Sequence, residues 1–118
     1  MIELPTRPLP ASWARTNLGS VVEAHYGKSL PATDRKSDGD VFVMGSSGIV
    51  GKHNQSLVKD ACVVIGRKGS VGAVYLLKGP SWPIDTTYYV QPTGDFDLHY
   101  LYYLLGSMEL VRLDKSTA

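Results

Sequence analysis

The sequence predicts an α+β domain: a small, twisted, mainly antiparallel β-sheet with glycine-rich loops, a short N-terminal helix and a C-terminal helix. Three observations predict it. Short runs rich in β-branched and aromatic residues crowd the middle of the chain. Two glycine-punctuated loops sit against such runs, and one long stretch of helically spaced leucines lies near the carboxyl end. At 118 residues the chain reads as one domain over residues 1–118, long enough to bury a modest core without staples.

Residues 1–12 are spaced by Pro5, Pro8 and Pro10 and read as extended, with Trp13 the first side chain able to anchor. Asn17 is placed to cap a short helix carrying Leu18, Val21 and Val22 at helical spacing and ending by Gly27. Residues 28–40 are polar and read as a loop, with Pro31 and the Asp38-Gly39 turn pair. Strands are expected over residues 41–44, 61–65, 73–77 and 86–90. Between the last two, Gly79-Pro80-Ser81-Trp82-Pro83 reads as a turn that sets Trp82 against the body of the domain. Tyr88 and Tyr89 alternate across the fourth strand, so one is expected buried and the other exposed. Asp97 opens the long helix. Leu98, Leu101, Leu104, Leu105 and Met108 form its buried face, with Tyr100, Tyr102 and Tyr103 on the flanks. Gly106-Ser107 bends or breaks it before residues 110–113.

Composition removes several function classes. A single cysteine, Cys62, excludes an internal disulfide and a cysteine-rich zinc site, and its place in an apolar run marks it as a buried, inert thiol. Apolar stretches of only a few residues are too short to span a bilayer. The proline-spaced amino end lacks an apolar signal core, so a cytoplasmic location is expected. Net charge is only +1, but it is segregated. Residues 28–78 hold eight cations against four acids, whereas residues 79–118 hold two against five. Such segregation steers a polyanion towards one face.

The chemistry-bearing candidates lie in that basic half. Gly45, Gly48 and Gly51 punctuate the first loop; Gly66, Gly69 and Gly72 punctuate the second. Glycine lets a backbone turn sharply or approach a partner closely, although tight turns need glycine without any ligand. Between the glycines lie short hydroxyls and cations, which suit phosphate oxygens and base edges. Arg67 and Lys68 are candidates for phosphate, or one of them for guanine O6 and N7; a solvated surface pair is the structural alternative. Ser46, Ser47 and Ser70 either donate to phosphate or close local turns. Lys52, His53 and Asn54 form the candidate base-reading cluster, since Asn bonds adenine twice and Lys bonds guanine. Lys28, Ser29, Arg35 and Lys36 in the long polar loop complete the candidate set.

Other chemistries are poorly supported. Gly51-Lys52 lacks both the glycine five residues earlier and the following hydroxyl of a phosphate-binding loop, because Ser46 and His53 stand there. There is no Gly-x-Gly-x-x-Gly fingerprint and no Asn-Pro-Pro-aromatic run. Pro83-Ile84-Asp85 lacks the following acidic-x-Lys pair of a nuclease metal site. His25, His53 and His99 are scattered without ligand spacing, so no metal, cofactor or catalytic residue is expected.

An ordered series of short features resembles a target recognition domain of the DNA-specificity subunit of Type I restriction-modification enzymes. The series begins with Leu4-Pro5 through Trp13, Leu18-Gly19 and Gly27-Lys28-Ser29. It continues with Gly45-Ser46-Ser47-Gly48-Ile49-Val50-Gly51 and Ile65-Gly66-Arg67-Lys68-Gly69-Ser70-Val71-Gly72. Pro80-Ser81-Trp82-Pro83, Asp85-Thr86, Tyr100-Leu101-Tyr102-Tyr103-Leu104-Leu105 and Lys115-Ser116-Thr117-Ala118 complete it. The resemblance implies a non-catalytic module that reads half of a split duplex target through the major groove, beside separate modification and restriction subunits. It also implies that the chain stops at its carboxyl end where such domains usually continue into a further strand and a long spacer helix. An unpaired strand edge there offers a route to a homodimer. Two other readings stay open: a protein-interaction module without DNA binding of its own, and a small enzyme holding a phosphorylated ligand.

Overall fold

The computed structural model describes residues 22–92 and 97–108. Among these, the elements run β1 (Val22–Tyr26), β2 (Val41–Gly45), β3 (Gly48–His53), β4 (Cys62–Gly66), β5 (Val74–Leu77), β6 (Ser81–Pro83), β7 (Thr87–Pro92) and α1 (Leu98–Ser107), with a 3₁₀ turn at Ala32–Asp34. The strands build two sheets where one was expected. The larger has the order β1-β7-β4-β5 and is antiparallel throughout. The smaller has the order β3-β2-β6, with β2 antiparallel to β3 and parallel to β6.

The four-stranded sheet is the middle layer. Its central strand β4 reads Cys62-Val63-Val64-Ile65, an unbroken apolar run of the kind that suits a strand covered on both faces. Alternation sends Cys62 and Val64 to one side, where they pack with Met44, Val58 and Leu77. Val63 faces the other side and packs with Val90, Leu101 and Leu105. Leu101 is fully buried, worth about 1.5–3 kcal/mol by transfer reasoning.

The helix follows its sequence pattern closely. Asp97 caps it, its carboxylate accepting from the Tyr100 N–H at 2.9 Å. Leu101 and Leu105 are buried, and Leu98, Tyr102 and Met108 pack against that cluster, but Leu104 is only half-buried and lies outside it. The helix ends at Ser107, within the expected Gly106-Ser107 break. The extended amino segment, Trp13 and residues 110–113 lie outside the described residues.

The four expected strands occur with shifts of no more than two residues at either end. Three elements correct the sequence reading. Val22, placed in an N-terminal helix by its spacing, opens strand β1; Asn17, Leu18 and Val21 lie outside the described residues. All five residues of β1 pair with β7, and that ladder outweighs a weak local helical pattern. Residues 48–53, read as glycine loop, form β3, so the loop proper shrinks to a two-residue turn at Ser46-Ser47. Residues 81–83, read as turn, form β6 alongside β2; Trp82 is half-buried, edge-on to His53 with centroids 5.5 Å apart.

Candidate nucleic-acid interface

Three connections meet at one end of the two sheets. The β2–β3 turn brings Ser46, the β4–β5 connection brings residues 67–73, and the β6–β7 connection brings residues 84–86. Side-chain and backbone bonds join them. Ser46 Oγ accepts from the Ser70 N–H at 3.3 Å, and Tyr75 Oη donates to the Ser46 carbonyl at 2.9 Å. Thr86 Oγ1 accepts from the Ser46 N–H at 3.3 Å. The Thr86 carbonyl accepts from Arg67 N–H at 2.8 Å and Lys68 N–H at 3.2 Å. The two glycine-bounded tips thus come from different sheets, not from a common one, yet they lock against each other.

The glycines have unequal roles. Gly48, Gly69 and Gly72 have positive φ of 117°, 77° and 83°. Gly66 has ordinary dihedrals but no room, since a Cβ there would lie 2.1 Å from the Ser70 carbonyl oxygen. The close turn of the second tip, where the Ser70 carbonyl folds back over Gly66, therefore depends on a missing side chain.

Arg67 is the best-positioned cation at this end. Its Nη1 donates to the Asp85 carbonyl, and its guanidinium carbon lies 5.0 Å from the Tyr26 ring centroid and 5.7 Å from that of Tyr88. Lys68, Ser47 and Ser70 are exposed beside it. No carboxylate forms an ion pair with Arg67 or Lys68 among the described residues. Two charges without neutralising partners are left to attract an anion.

The remaining candidates lie elsewhere. Lys52 and His53 close the far end of β3 and Asn54 follows it, roughly 13–20 Å from the turn by strand rise. Lys52 and Asn54 are exposed, Lys52 Nζ at 6.0 Å from the Phe42 ring centroid. His53 is only 8% exposed, and its buried Nδ1 has no hydrogen-bond partner among the described residues. Ser46, also 8% exposed, has its hydroxyl occupied by Ser70. Both act within the fold in this arrangement. Arg35 is half-buried: Nε donates to the Leu30 carbonyl at 3.0 Å and Nη1 to the Val50 carbonyl at 3.3 Å. Val50 is the residue skipped where the β2–β3 register shifts, and such a bulge leaves a residue outside the ladder's regular pairing. Lys28, Ser29 and Lys36 are exposed along the 28–40 loop; the Lys28 carbonyl accepts from Trp82 Nε1 at 2.9 Å. Cys62 is buried against Ser81 Oγ at 3.7 Å, and burial pushes its thiol up from the ordinary 9.0.

The family model for the Type I restriction modification DNA specificity domain matches residues 10–117. The chain belongs to that family. That description makes it a DNA-specificity domain, a non-catalytic part of a Type I restriction-modification system. Solved structures share the fold. The S subunit of a Type I restriction-modification system from M. genitalium matches with TM-score 0.71 and 17% identity, over 89% of this chain and 29% of that one. The HsdS subunit from Thermoanaerobacter tengcongensis matches with TM-score 0.70 and 19% identity, over 95% and 31%. A structure described as the basis of complex assembly and conformational transition of the type I R-M system matches with TM-score 0.71 and 19% identity, over 95% and 32%. The specificity domain therefore spans about a third of the length of each of these chains. No curated protein matches it in sequence. No helix among its described residues is long and apolar enough to cross a membrane.

Within this specificity domain, sequence reasoning missed Tyr26, Tyr88 and Thr86 as parts of the tip end. The short helix expected to end by Gly27 would have covered Tyr26, and the Tyr88-Tyr89 alternation did not say which of the two is exposed. The Tyr88-Tyr89 alternation was the available signal: Tyr89 packs partly buried against the core, while Tyr88 is exposed. Nothing in the sequence pairs Tyr26 with Tyr88, because that contact is a cross-strand register pair.

Proposed function

We infer that this specificity domain recognises duplex DNA, reading half of a bipartite target through the end where its tips meet. The supporting observation is the juxtaposition there of Arg67 and Lys68, without carboxylate partners among the described residues, on a backbone held by Ser46, Ser70 and Thr86. Cations and hydroxyls of this kind position a protein on phosphates, and a fixed loop lets one of them reach base edges. Ser47, Lys68 and Ser70 are the phosphate contacts in this reading, with Lys28, Ser29 and Lys36 extending the surface. Lys52 and Asn54 lie at its far margin. Catalysis belongs to modification and restriction subunits that the domain meets in the cytoplasm.

Fluorescence anisotropy with a random-sequence duplex pool at two salt concentrations tests this. Affinity should fall steeply with salt. An Arg67→Ala, Lys68→Ala variant should weaken binding at least tenfold and flatten the salt slope by about 1, for the lost phosphate contact of Lys68. Unchanged binding removes the tip end from the interface.

One observation favours a second role in protein contact. Phe42 and Ile49 are exposed beside Tyr75 and Tyr102 along an open apolar groove, on a flank of the domain that the DNA reading leaves unused. Concentration-dependent self-association without any duplex affinity would support that role in place of DNA recognition.

A further inference from the structure

We propose that Tyr26 and Tyr88 form an aromatic seat that holds Arg67 as a preset reader of guanine, leaving Lys68 to the phosphate backbone. The inference rests on the DNA reading above and assigns its base-specific contact. Three neighbouring strands create the seat. Tyr26 closes β1 and pairs across the ladder with Tyr88 of β7, which in turn pairs with Ile65 of β4. Arg67 lies two residues beyond Ile65, so alternation returns its side chain to the same face as both tyrosines. The rings stand 5.1 Å apart at 43°, and the guanidinium lies within cation–π range of each.

Chemistry then singles out one edge of the guanidinium. Nη1 is engaged by the Asp85 carbonyl, whereas Nε and Nη2 have no protein partner among the described residues. Nε–H and one Nη2–H run parallel along the side of the planar group, a fork that matches two adjacent acceptors such as guanine O6 and N7. A phosphate contact tolerates a mobile cation, and exposed Lys68 on its four-carbon stem suffices for it. A base edge does not tolerate it, because the two bonds form together only if the plane is already oriented. Cation–π contacts and a backbone acceptor supply that orientation before DNA arrives. Tyr26 is 67% exposed and Tyr88 36%, so the seat is open to a groove-sized partner.

Tyr26 and Tyr88 are thus positioning residues, and two measurements test them. In the free full-length chain, the Arg67 Nε–H resonance should be displaced by ring currents. It should move to the position of a solvated arginine in the Tyr26→Leu, Tyr88→Leu variant and stay in place in the Tyr26→Phe, Tyr88→Phe variant. In selection from a randomised duplex pool, the wild-type chain should enrich a motif containing an Arg67-dependent G·C pair. Discrimination at that pair should fall about 5- to 150-fold in the Leu variant and in Arg67→Lys. Affinity for non-specific duplex should stay within about twofold, and the Phe variant should select as wild type does. Duplex binding with unaltered selectivity in the Leu variant overturns the seat but spares the DNA reading. An equal loss of specific and non-specific affinity also overturns it, because Arg67 then holds phosphate. A folded wild-type chain with no duplex affinity overturns both.

Discussion

The two ends of the β2–β3 hairpin carry similar polar sequences and do opposite things. At the turn, Ser46 is buried and bonded to the neighbouring loop, while Arg67 and Lys68 stand beside it without acidic partners among the described residues. At the far end, Lys52 and Asn54 reach into solvent on either side of His53, whose ring is buried edge-on against Trp82. The first end is assembled from three connections and two sheets; at the second, Trp82 and Gly39 pack against His53 and the side chains of Lys52 and Asn54 are left exposed. Candidate residues within a few positions of one another in sequence are therefore parted by the length of β3. In the proposed DNA reading, a polar loop tip serves as an interface where other loops converge on it.

The largest effects should come from the close-packed glycines that tie down each end. A Cβ at Gly66 would lie 2.1 Å from Ser70 O, and one at Gly39 would lie 2.1 Å from His53 O. Either alanine variant should cost about 1–3 kcal/mol or more, lowering Tm by at least about 5 °C. Calorimetry should show both losses, but only Gly66→Ala should also weaken duplex binding by the folded protein. Equal binding defects would erase the distinction between the ends.

The charge variants sharpen it next. Lys52→Ala, Asn54→Ala should leave duplex affinity within about twofold, against the tenfold or greater loss of the Arg67, Lys68 pair. A larger loss would extend the interface along the whole of β3.

Smaller still is the seam between the tips. Ser46→Ala strands the Ser70 N–H and should cost about 0.5–1.5 kcal/mol in denaturant unfolding. Ser47→Ala, at an exposed position, should stay within about 0.5 kcal/mol. His53→Leu should not destabilise the domain. It removes a buried nitrogen that has no partner, so stability should hold or rise by up to about 1 kcal/mol with DNA binding unchanged. A clear loss of affinity would restore His53 to the reading surface.

Much of this molecule is legible in its local sequence. The Cys62-Val63-Val64-Ile65 run announces a doubly covered strand, and the leucine spacing after Asp97 announces α1, because burial and capping depend on residues close in sequence. Cys62 reads correctly as a buried thiol for the same reason. Less legible is β1, since Val22–Tyr26 owes its extended form to a ladder with residues some sixty positions away. The division into two sheets is likewise hidden, because β6 is only three residues long and becomes a strand by lying parallel to β2. Hydroxyls and cations mark candidate contacts without distinguishing Ser46, which is buried, from Ser47, which is not.

By itself the sequence determined where apolar faces must be covered, where the helix begins and that a basic, glycine-bounded segment follows the central apolar strand, since each is a matter of neighbouring residue types and short-range sterics. Only the tertiary structure decided which tips meet, which cations keep a free edge and which tyrosines flank Arg67. Those outcomes depend on strand register and on contacts between distant segments, which packing selects and local chemistry does not encode.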